Sequence, residues 1–156
     1  IAQAQLWLAA NKKKDVCSDT FLRSLHKKMF CDVWVWAGEY RITERNIGVA
    51  PYQIPMKLMQ LFDDLNFLID NKTYSNHEIA VRLHHKLVQI HPFPNGNGRV
   101  SRLMADLVLR KLEGKTLYWG DTNLVDVSEV RRKYIDALRK ADAGDYTDLL
   151  NFTMKK

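Results

Sequence analysis

The chain has little of what holds small secreted proteins together or carries a protein across a membrane. Its 156 residues include two cysteines, Cys17 and Cys31, whose spacing matches no metal site, so we interpret both as reduced thiols. No apolar run approaches the roughly 18 residues of a membrane span. The first residues also lack the basic region of a signal peptide. These absences predict a cytoplasmic protein with no membrane partner.

Proline and glycine are scarce, and there is no repeat or low-complexity tract. The four prolines and seven glycines separate stretches whose apolar residues recur with helical spacing. Hydrophobic residues make up 46% of the chain, enough for one core, and we expect a single domain over 1–156. Because the chain opens on Ile1 rather than Met, we also expect that an N-terminal segment of the native protein is missing.

Acidic residues are fewer than basic ones, which gives a formal net charge of +6. Such a charge suits an anionic partner. The basic residues are spread along the chain, and no helix has the pattern of a DNA-reading element. We therefore do not expect nucleic acid as a partner.

The apolar spacing predicts an all-α bundle of about seven helices with one short β-hairpin. Ser18 and Ser75 are the expected N-caps of the second and fourth helices. Trp34 and Trp36 are spaced as in a strand, and residues 41–50, here called the flap, are β-like with turn residues. The helices are expected at about 3–14, from 18 to past 29, from 55 to 69, from 75 to 90, at 98–112, at 127–142 and around 146–150.

One segment gathers the residues that carry chemistry. Residues 91–102 read His-Pro-Phe-Pro-Asn-Gly-Asn-Gly-Arg-Val-Ser-Arg. Pro92 disfavours helical dihedrals at His91, so the fourth helix should end there. The glycines on either side of Asn97 permit left-handed backbone and close approach. The next helix begins here, and its free N–H groups make an anion site.

Arg99 and Arg102 lie one turn apart on that next helix. Two guanidiniums beside a helix N-terminus fit a polyphosphate better than a single carboxylate. His91 is the candidate general base, because an imidazole titrates near neutrality. A plain helix–loop–helix connector would explain the glycines but not the histidine and both arginines.

This segment resembles the signature of the Fic (Fido) family, His-x-Phe-x-Asp/Glu-Gly-Asn-Gly-Arg-x-x-Arg, and differs from it only at Asn95. Residues 25–30 and 36–41 resemble the family's upstream segments, so the likeness covers about 18–153. Within the family the chain is most similar to the branch called mobile mystery protein B, and we expect a bacterial protein. The resemblance implies a Fic-like fold with a flap.

The resemblance also implies a protein adenylyltransferase that moves AMP from ATP to a Ser, Thr or Tyr hydroxyl of a target protein. His91 would be the general base and Phe93 the anchor of the loop in the core. The nucleotide phosphates would be bound by Asn95, Gly96, Asn97, Gly98, Arg99 and Arg102. The target chain would pair as a β-strand with flap residues Thr43, Asn46, Ile47 and Gly48.

Asn95 stands where the family has a metal-holding acid. An amide is neutral and a poorer ligand for Mg²⁺, so a weakened Mg²⁺ site is expected there. Asp106, one turn past Arg102, is interpreted as the partner of that arginine rather than as a substitute acid. A pseudoenzyme that holds a nucleotide or a protein without catalysis therefore stays open. So does a phosphotransferase like the Doc toxins, although Gly98 keeps room for a β-phosphate.

The family's inhibitory motif, Ser/Thr-x-x-x-Glu-Gly/Asn, is absent from 1–156. The expected sources of inhibition are the missing N-terminal segment or a separate antitoxin-like partner. The spacing of His77, His84 and His91 is too wide for one metal ion. His84 or His85 is instead expected to pack beneath the loop.

Overall fold

The computed structural model describes residues 2–12, 14–120 and 127–154, and within them the chain is all-helical with no strand. A 3-10 helix at Pro51–Gln53 precedes the third of seven α-helices. None of the described helices is both long and apolar enough to span a bilayer. The prediction of about seven helices is confirmed. The α-helices are α1 (Ala2–Ala10), α2 (Asp19–Phe30), α3 (Ile54–Asn71), α4 (Asn76–Ile90), α5 (Asn97–Glu113), α6 (Val127–Asp142) and α7 (Thr147–Thr153).

Local side chains set several helix ends where the sequence predicts them. The Ser18 and Ser75 hydroxyls each accept a backbone N–H from the first turn of their helix, both at 3.1 Å. Gly114 ends α5 in the left-handed conformation. However, α1 is shorter than the predicted helix at 3–14. The Asn11 side chain donates to the Trp7 carbonyl at 2.8 Å and so takes the acceptor that a further helical turn would use.

Helix α4 is the centre of the bundle. It packs against α3, α5, α6 and α7. One buried cluster lies among α1 to α5, and a second joins α4 and α5 to α6 and α7. The loop between α4 and α5, here called the signature loop (91–96), therefore begins and ends on the two most enclosed helices.

The β-hairpin predicted for the flap does not form in this structure. Residues 41–50 run as an irregular loop. Trp34 lies between two turns and Trp36 lies in the second of them, with the two ring centroids 4.6 Å apart. The physical reason is a side chain. Arg41 donates to the carbonyls of Thr43 and Val49, at either end of the flap, where a hairpin would need backbone partners.

Candidate functional site

His91 follows the last residue of α4 and lies in a cleft beside the signature loop. It adopts the left-handed conformation, with φ +52° and ψ +62°, and its N–H bonds to the Leu87 carbonyl at 3.0 Å. Partial burial lowers the pKa of His91, and the nearby guanidiniums of Arg41 and Arg45 lower that pKa further. The imidazole is therefore neutral at neutral pH, which is the form that a general base needs.

Asn97 holds the turn of the signature loop. Its Oδ1 accepts the Phe93 N–H at 2.9 Å, and its Nδ2 donates to the Phe93 carbonyl at 2.7 Å. Phe93 is fully buried, in the position predicted for the loop anchor. The Asn97 side chain is thus occupied by the loop itself. What remains for a phosphate is its backbone N–H, in the first turn of α5, where N–H groups lack intrahelical partners.

His26 on α2 supports the loop from below. The ring is fully buried and stacks on Phe93 with centroids 3.8 Å apart. Its Nδ1 accepts the Gly38 N–H at 2.9 Å, so its Nε2 carries the proton and donates to the Asn95 carbonyl at 3.0 Å. Burial lowers the pKa of His26, which keeps the ring neutral. His26, rather than the expected His84 or His85, therefore packs beneath the loop: His84 bonds to Tyr134, and His85 bonds to Tyr146 and Asp142.

Asn95 and Gly96 are neighbours in the loop, but Asn95 is exposed and Gly96 is buried. Gly96 has φ +80°, and a Cβ there would lie 2.7 Å from the Phe30 ring, so no larger residue fits without displacement. The Asn95 side chain is exposed, and its Oδ1 accepts the Gly96 N–H at 2.8 Å. Among the residues that the structure describes, no group of three His, Cys, Asp or Glu could hold a metal ion. These residues alone do not fit a Mg²⁺ site.

The two signature arginines have different surroundings. Arg99 is exposed, and its guanidinium lies over the Phe30 ring at 4.7 Å from the centroid. Arg102 is half-buried next to Gly98, where an added Cβ would be 3.5 Å from Arg102 Nη1. Gly98 therefore leaves open the space directly beside the second guanidinium.

Arg102 lies between Tyr134 of α6 and Asp106, and its charge acts on both. The Asp106 carboxylate accepts the Leu117 N–H at 2.9 Å and the Trp119 Nε1–H at 3.1 Å. Arg102 and Asp106 form no salt bridge in the described chain, so the predicted pairing is limited to a longer-range attraction: burial raises the Asp106 pKa, and Arg102 is among the charges that oppose the rise. Burial also raises the pKa of Tyr134, which the nearby Arg102 opposes, and the Tyr134 hydroxyl lies 2.5 Å from Nε2 of the buried His84. Nothing in the local sequence links positions 102, 134 and 84, because the three residues belong to different helices.

These side chains line one open cleft of about 610 Å³, a volume within the range of small-molecule sites. None of the described residues that line it is acidic, so its charge favours an anionic ligand. The lining includes Ile47, His91, Asn95, Gly96, Asn97, Gly98, Arg99, Arg102, Trp119, Arg131 and Tyr134.

The predicted flap residues reach the site unequally. Ile47 lines the cleft, and Gly48 packs so tightly that an added Cβ would be 2.7 Å from His91 Cβ. The side chains of Thr43 and Asn46 are exposed and do not line the cleft. The structure therefore brings half of the predicted docking residues to the general base.

Comparison with known proteins agrees with this geometry. A family model described as the Fic/DOC family matches residues 17–109. The "Protein adenylyltransferase fic-1" of Caenorhabditis briggsae is 32% identical over 127 residues, which are 78% of this chain and 23% of that protein. The chain spans about a quarter of the length of the curated relatives it matches.

Solved structures match over nearly the whole chain. A structure of Fic-1 (residues 134–508) from C. elegans has a TM-score of 0.80 and 26% identity, covering 97% of this chain and 45% of that one. The N-terminal Fic domain of a VirB-translocated effector from Bartonella quintana, with bound ADP, has a TM-score of 0.70 and 18% identity, covering 97% and 78%. The second match bears on the fold alone.

Proposed function

The chain belongs to the Fic/DOC family, and on that premise we propose that it transfers AMP from ATP to a Ser, Thr or Tyr hydroxyl of a target protein. The observation that carries the proposal is one cleft in which a neutral His91 faces the N-terminus of α5 and two arginines. Relatives at about 30% identity are named protein adenylyltransferases, which supports the same reaction.

His91 performs the proton transfer in this proposal. The imidazole takes the proton of the target hydroxyl, and the hydroxyl oxygen attacks the α-phosphorus of ATP. The bond from the α-phosphorus to the bridging oxygen breaks, and pyrophosphate leaves with the bonding electrons. The proton stays on His91 until it passes to solvent.

The start of α5 and the arginines stabilise the charge that develops on the phosphates. Backbone N–H groups of Asn97 and Gly98 open the helix and point its positive dipole end at the cleft. Arg99 neutralises charge near the α- and β-phosphates. Arg102, which lines the cleft beside Tyr134, lies further along it and pairs with the γ-phosphate.

One labelling experiment tests the reaction. The protein is incubated with Mg²⁺, cell lysate and ATP labelled on either the α- or the γ-phosphate. We expect transfer of the α-label, and a loss of at least about 100-fold in His91→Ala, the usual scale for removing a general base. His77→Ala is the matched control, because His77 bonds to Thr153 and does not line the cleft. Transfer of the γ-label instead would favour a phosphotransferase like the Doc toxins.

The neutral Asn95 favours a second candidate function, a binding module without catalysis. The described lining of the cleft has cations but no acid that would help to hold Mg²⁺. Such a module would still bind ATP. No transfer of either label, even in Asn95→Asp, together with measurable ATP binding would support it over the transferase.

A further inference from the structure

Arg41 lies buried between the flap and the end of α4, with 2% of its surface exposed. Its Nε donates to the His91 carbonyl at 2.5 Å, and its Nη2 donates to the Ile90 carbonyl at 3.2 Å. On its other side, Nη1 donates to the Thr43 carbonyl at 3.0 Å, and Nη2 also donates to the Val49 carbonyl. One guanidinium thus binds the end of α4 and both ends of the flap.

The backbone reinforces the same junction. The Arg41 N–H donates to the Pro92 carbonyl at 2.9 Å, and the Val49 N–H donates to the Ile90 carbonyl at 3.3 Å. Gly48 closes the remaining space, since an added Cβ would lie 2.6 Å from Arg41 Nη2. The flap is therefore fixed at both ends against the last residue of α4 and the first two residues of the signature loop.

The chemistry of the junction requires arginine. The last carbonyls of a helix have no intrahelical partner, and the left-handed conformation is unfavourable for a residue other than glycine. Arg41 satisfies the carbonyls of Ile90 and His91 while His91 holds that conformation. The planar guanidinium has five donors in a fixed fork, whereas lysine has three donors at the end of a flexible chain.

Burying a cation is costly unless it is paired and hydrogen-bonded. In the part of the chain that the structure describes, Arg41 forms no salt bridge with an acid, and carbonyl oxygens are its partners. If this position contributed only to packing, an apolar residue would fill it at a lower cost. The buried charge and the forked donors of the Arg41 guanidinium therefore indicate that Arg41 positions the groups it contacts.

We propose that Arg41 is a positioning residue that joins the flap and His91 into one unit, so that a target chain docked on the flap presents its hydroxyl at a fixed place relative to the imidazole. That a target protein docks on the flap rests on the proposed function. The junction itself, here called the Arg41 clamp, can be tested without any activity.

Three variants separate the clamp from the charge. Arg41→Gln removes both, and Arg41→Lys keeps the positive charge but loses the fork. Arg45→Gln removes a charge only: Arg45 is exposed in the same flap and lowers the His91 pKa as Arg41 does, yet it makes no hydrogen bond within the described residues. Arg41 and Arg45 are the charged groups that lower the His91 pKa, after its partial burial.

The rate of amide hydrogen exchange at Val49 reports whether the Arg41 clamp is intact, because the Val49 N–H donates across the junction to the Ile90 carbonyl. We expect exchange at Val49 to become at least tenfold faster in Arg41→Lys and Arg41→Gln, and to stay within twofold of the parent in Arg45→Gln. In an NMR titration, Arg41→Gln and Arg45→Gln should both raise the His91 pKa. Native exchange at Val49 in Arg41→Lys would overturn the proposal.

The labelling assay tests whether the Arg41 clamp matters for transfer. We expect the rate of α-label transfer to lysate proteins to fall at least tenfold in Arg41→Lys. Binding of AMPPNP, a non-hydrolysable ATP analogue, should stay within twofold, since Arg41 does not line the nucleotide cleft. Parent-level transfer in Arg41→Lys, with the parent active, would overturn the proposal. An inactive parent would refute the proposed function and leave the exchange result to decide on the clamp.

Gly48→Ala provides a second route if the buried Arg41 variants fail to fold. It leaves Arg41 in place and pushes on the clamp from the flap, because its Cβ would meet both Arg41 Nη2 and His91 Cβ. Faster exchange at Val49 in this variant supports the clamp. A folded Gly48→Ala with native exchange would overturn it, since the flap would then be docked by other contacts.

Discussion

Asn95 and Asn97 stand two positions apart in the signature loop and make different contacts. Asn97 is buried and uses both ends of its amide on the backbone of Phe93. Asn95 is exposed and uses only Oδ1, on the Gly96 N–H. An aspartate at position 95 would keep its acceptor, whereas an aspartate at position 97 would lose the donor that reaches the Phe93 carbonyl.

We therefore expect Asn95→Asp to be tolerated by the fold and to raise transfer. The free energy of unfolding should change by no more than about 0.5 kcal/mol, as for other surface substitutions. The added charge should improve Mg²⁺ retention and raise the initial rate by about tenfold at limiting Mg²⁺. Initial rates of α-label transfer measured against Mg²⁺ concentration test this.

Asn97→Asp is the matched control for that change. Leaving the Phe93 carbonyl without its donor should cost about 1–3 kcal/mol of unfolding free energy and give no gain in rate. If Asn95→Asp has the same Mg²⁺ dependence as the parent, then Asn95 is not what limits metal binding in this protein.

At the scale of elements, α6 supplies a wall of the cleft although it lies outside residues 17–109, the part that the family model matches. Arg131 and Tyr134 on this helix line the cleft. The Tyr134 hydroxyl bonds to the buried His84 on α4 and lies close enough to Arg102 on α5 for that charge to lower its pKa. Tyr134 therefore places a fixed polar group beside the arginine assigned to the γ-phosphate.

Tyr134→Phe should weaken the recognition of the third phosphate. Without the hydroxyl, Arg102 loses the polar group beside its guanidinium, so the preference for AMPPNP over ADP should fall by about fivefold, close to 1 kcal/mol. Calorimetric titration with both nucleotides measures this ratio. Tyr118→Phe is the control, because no described side-chain hydrogen bond uses the Tyr118 hydroxyl and Tyr118 does not line the cleft. An equal loss of affinity for both nucleotides would contradict the role of Tyr134.

Elements with local signals could be predicted from the sequence, and those held by distant contacts could not. Ser18, Ser75 and Gly114 mark helix ends within one turn, so the helices follow from spacing and caps. The flap was wrongly predicted as a hairpin because its carbonyls are taken by Arg41 and its end is fixed to Ile90, forty-one residues after Val49.

At the scale of the whole molecule, the site too has a part that local sequence predicts and a part that depends on distant contacts. Residues 91–102 are contiguous, so the general base, the glycines and the two arginines could be picked out together. The residues that position them come from elsewhere: His26 from α2, Arg41 from the flap and Tyr134 from α6. Their roles depend on how the helices pack, and a single sequence carries no local pattern that reports such packing.

Three nearly inaccessible histidines connect the helices across the whole molecule. His26 links α2 to the signature loop, and His84 links α4 to α6. His85 bonds to the Tyr146 hydroxyl and to Asp142, joining α4 to the C-terminal helices. Burial is the leading cause that lowers the pKa of each ring, and the pKa of His84 falls to about 3. The fold thus depends on these rings staying neutral.

The protein should consequently lose stability as the pH falls below 6.5. The unfolded chain binds protons on its histidines near pH 6.5, whereas folded His84 stays neutral until about pH 3, so the free energy of unfolding falls across that window. Each fully shifted histidine contributes about 1.4 kcal/mol per pH unit. Urea unfolding at pH 7 and pH 5 measures the slope. His84→Gln should show a shallower slope, because glutamine can bond to Tyr134 without titrating. Equal slopes in the two proteins would show that His84 is not held neutral by the fold.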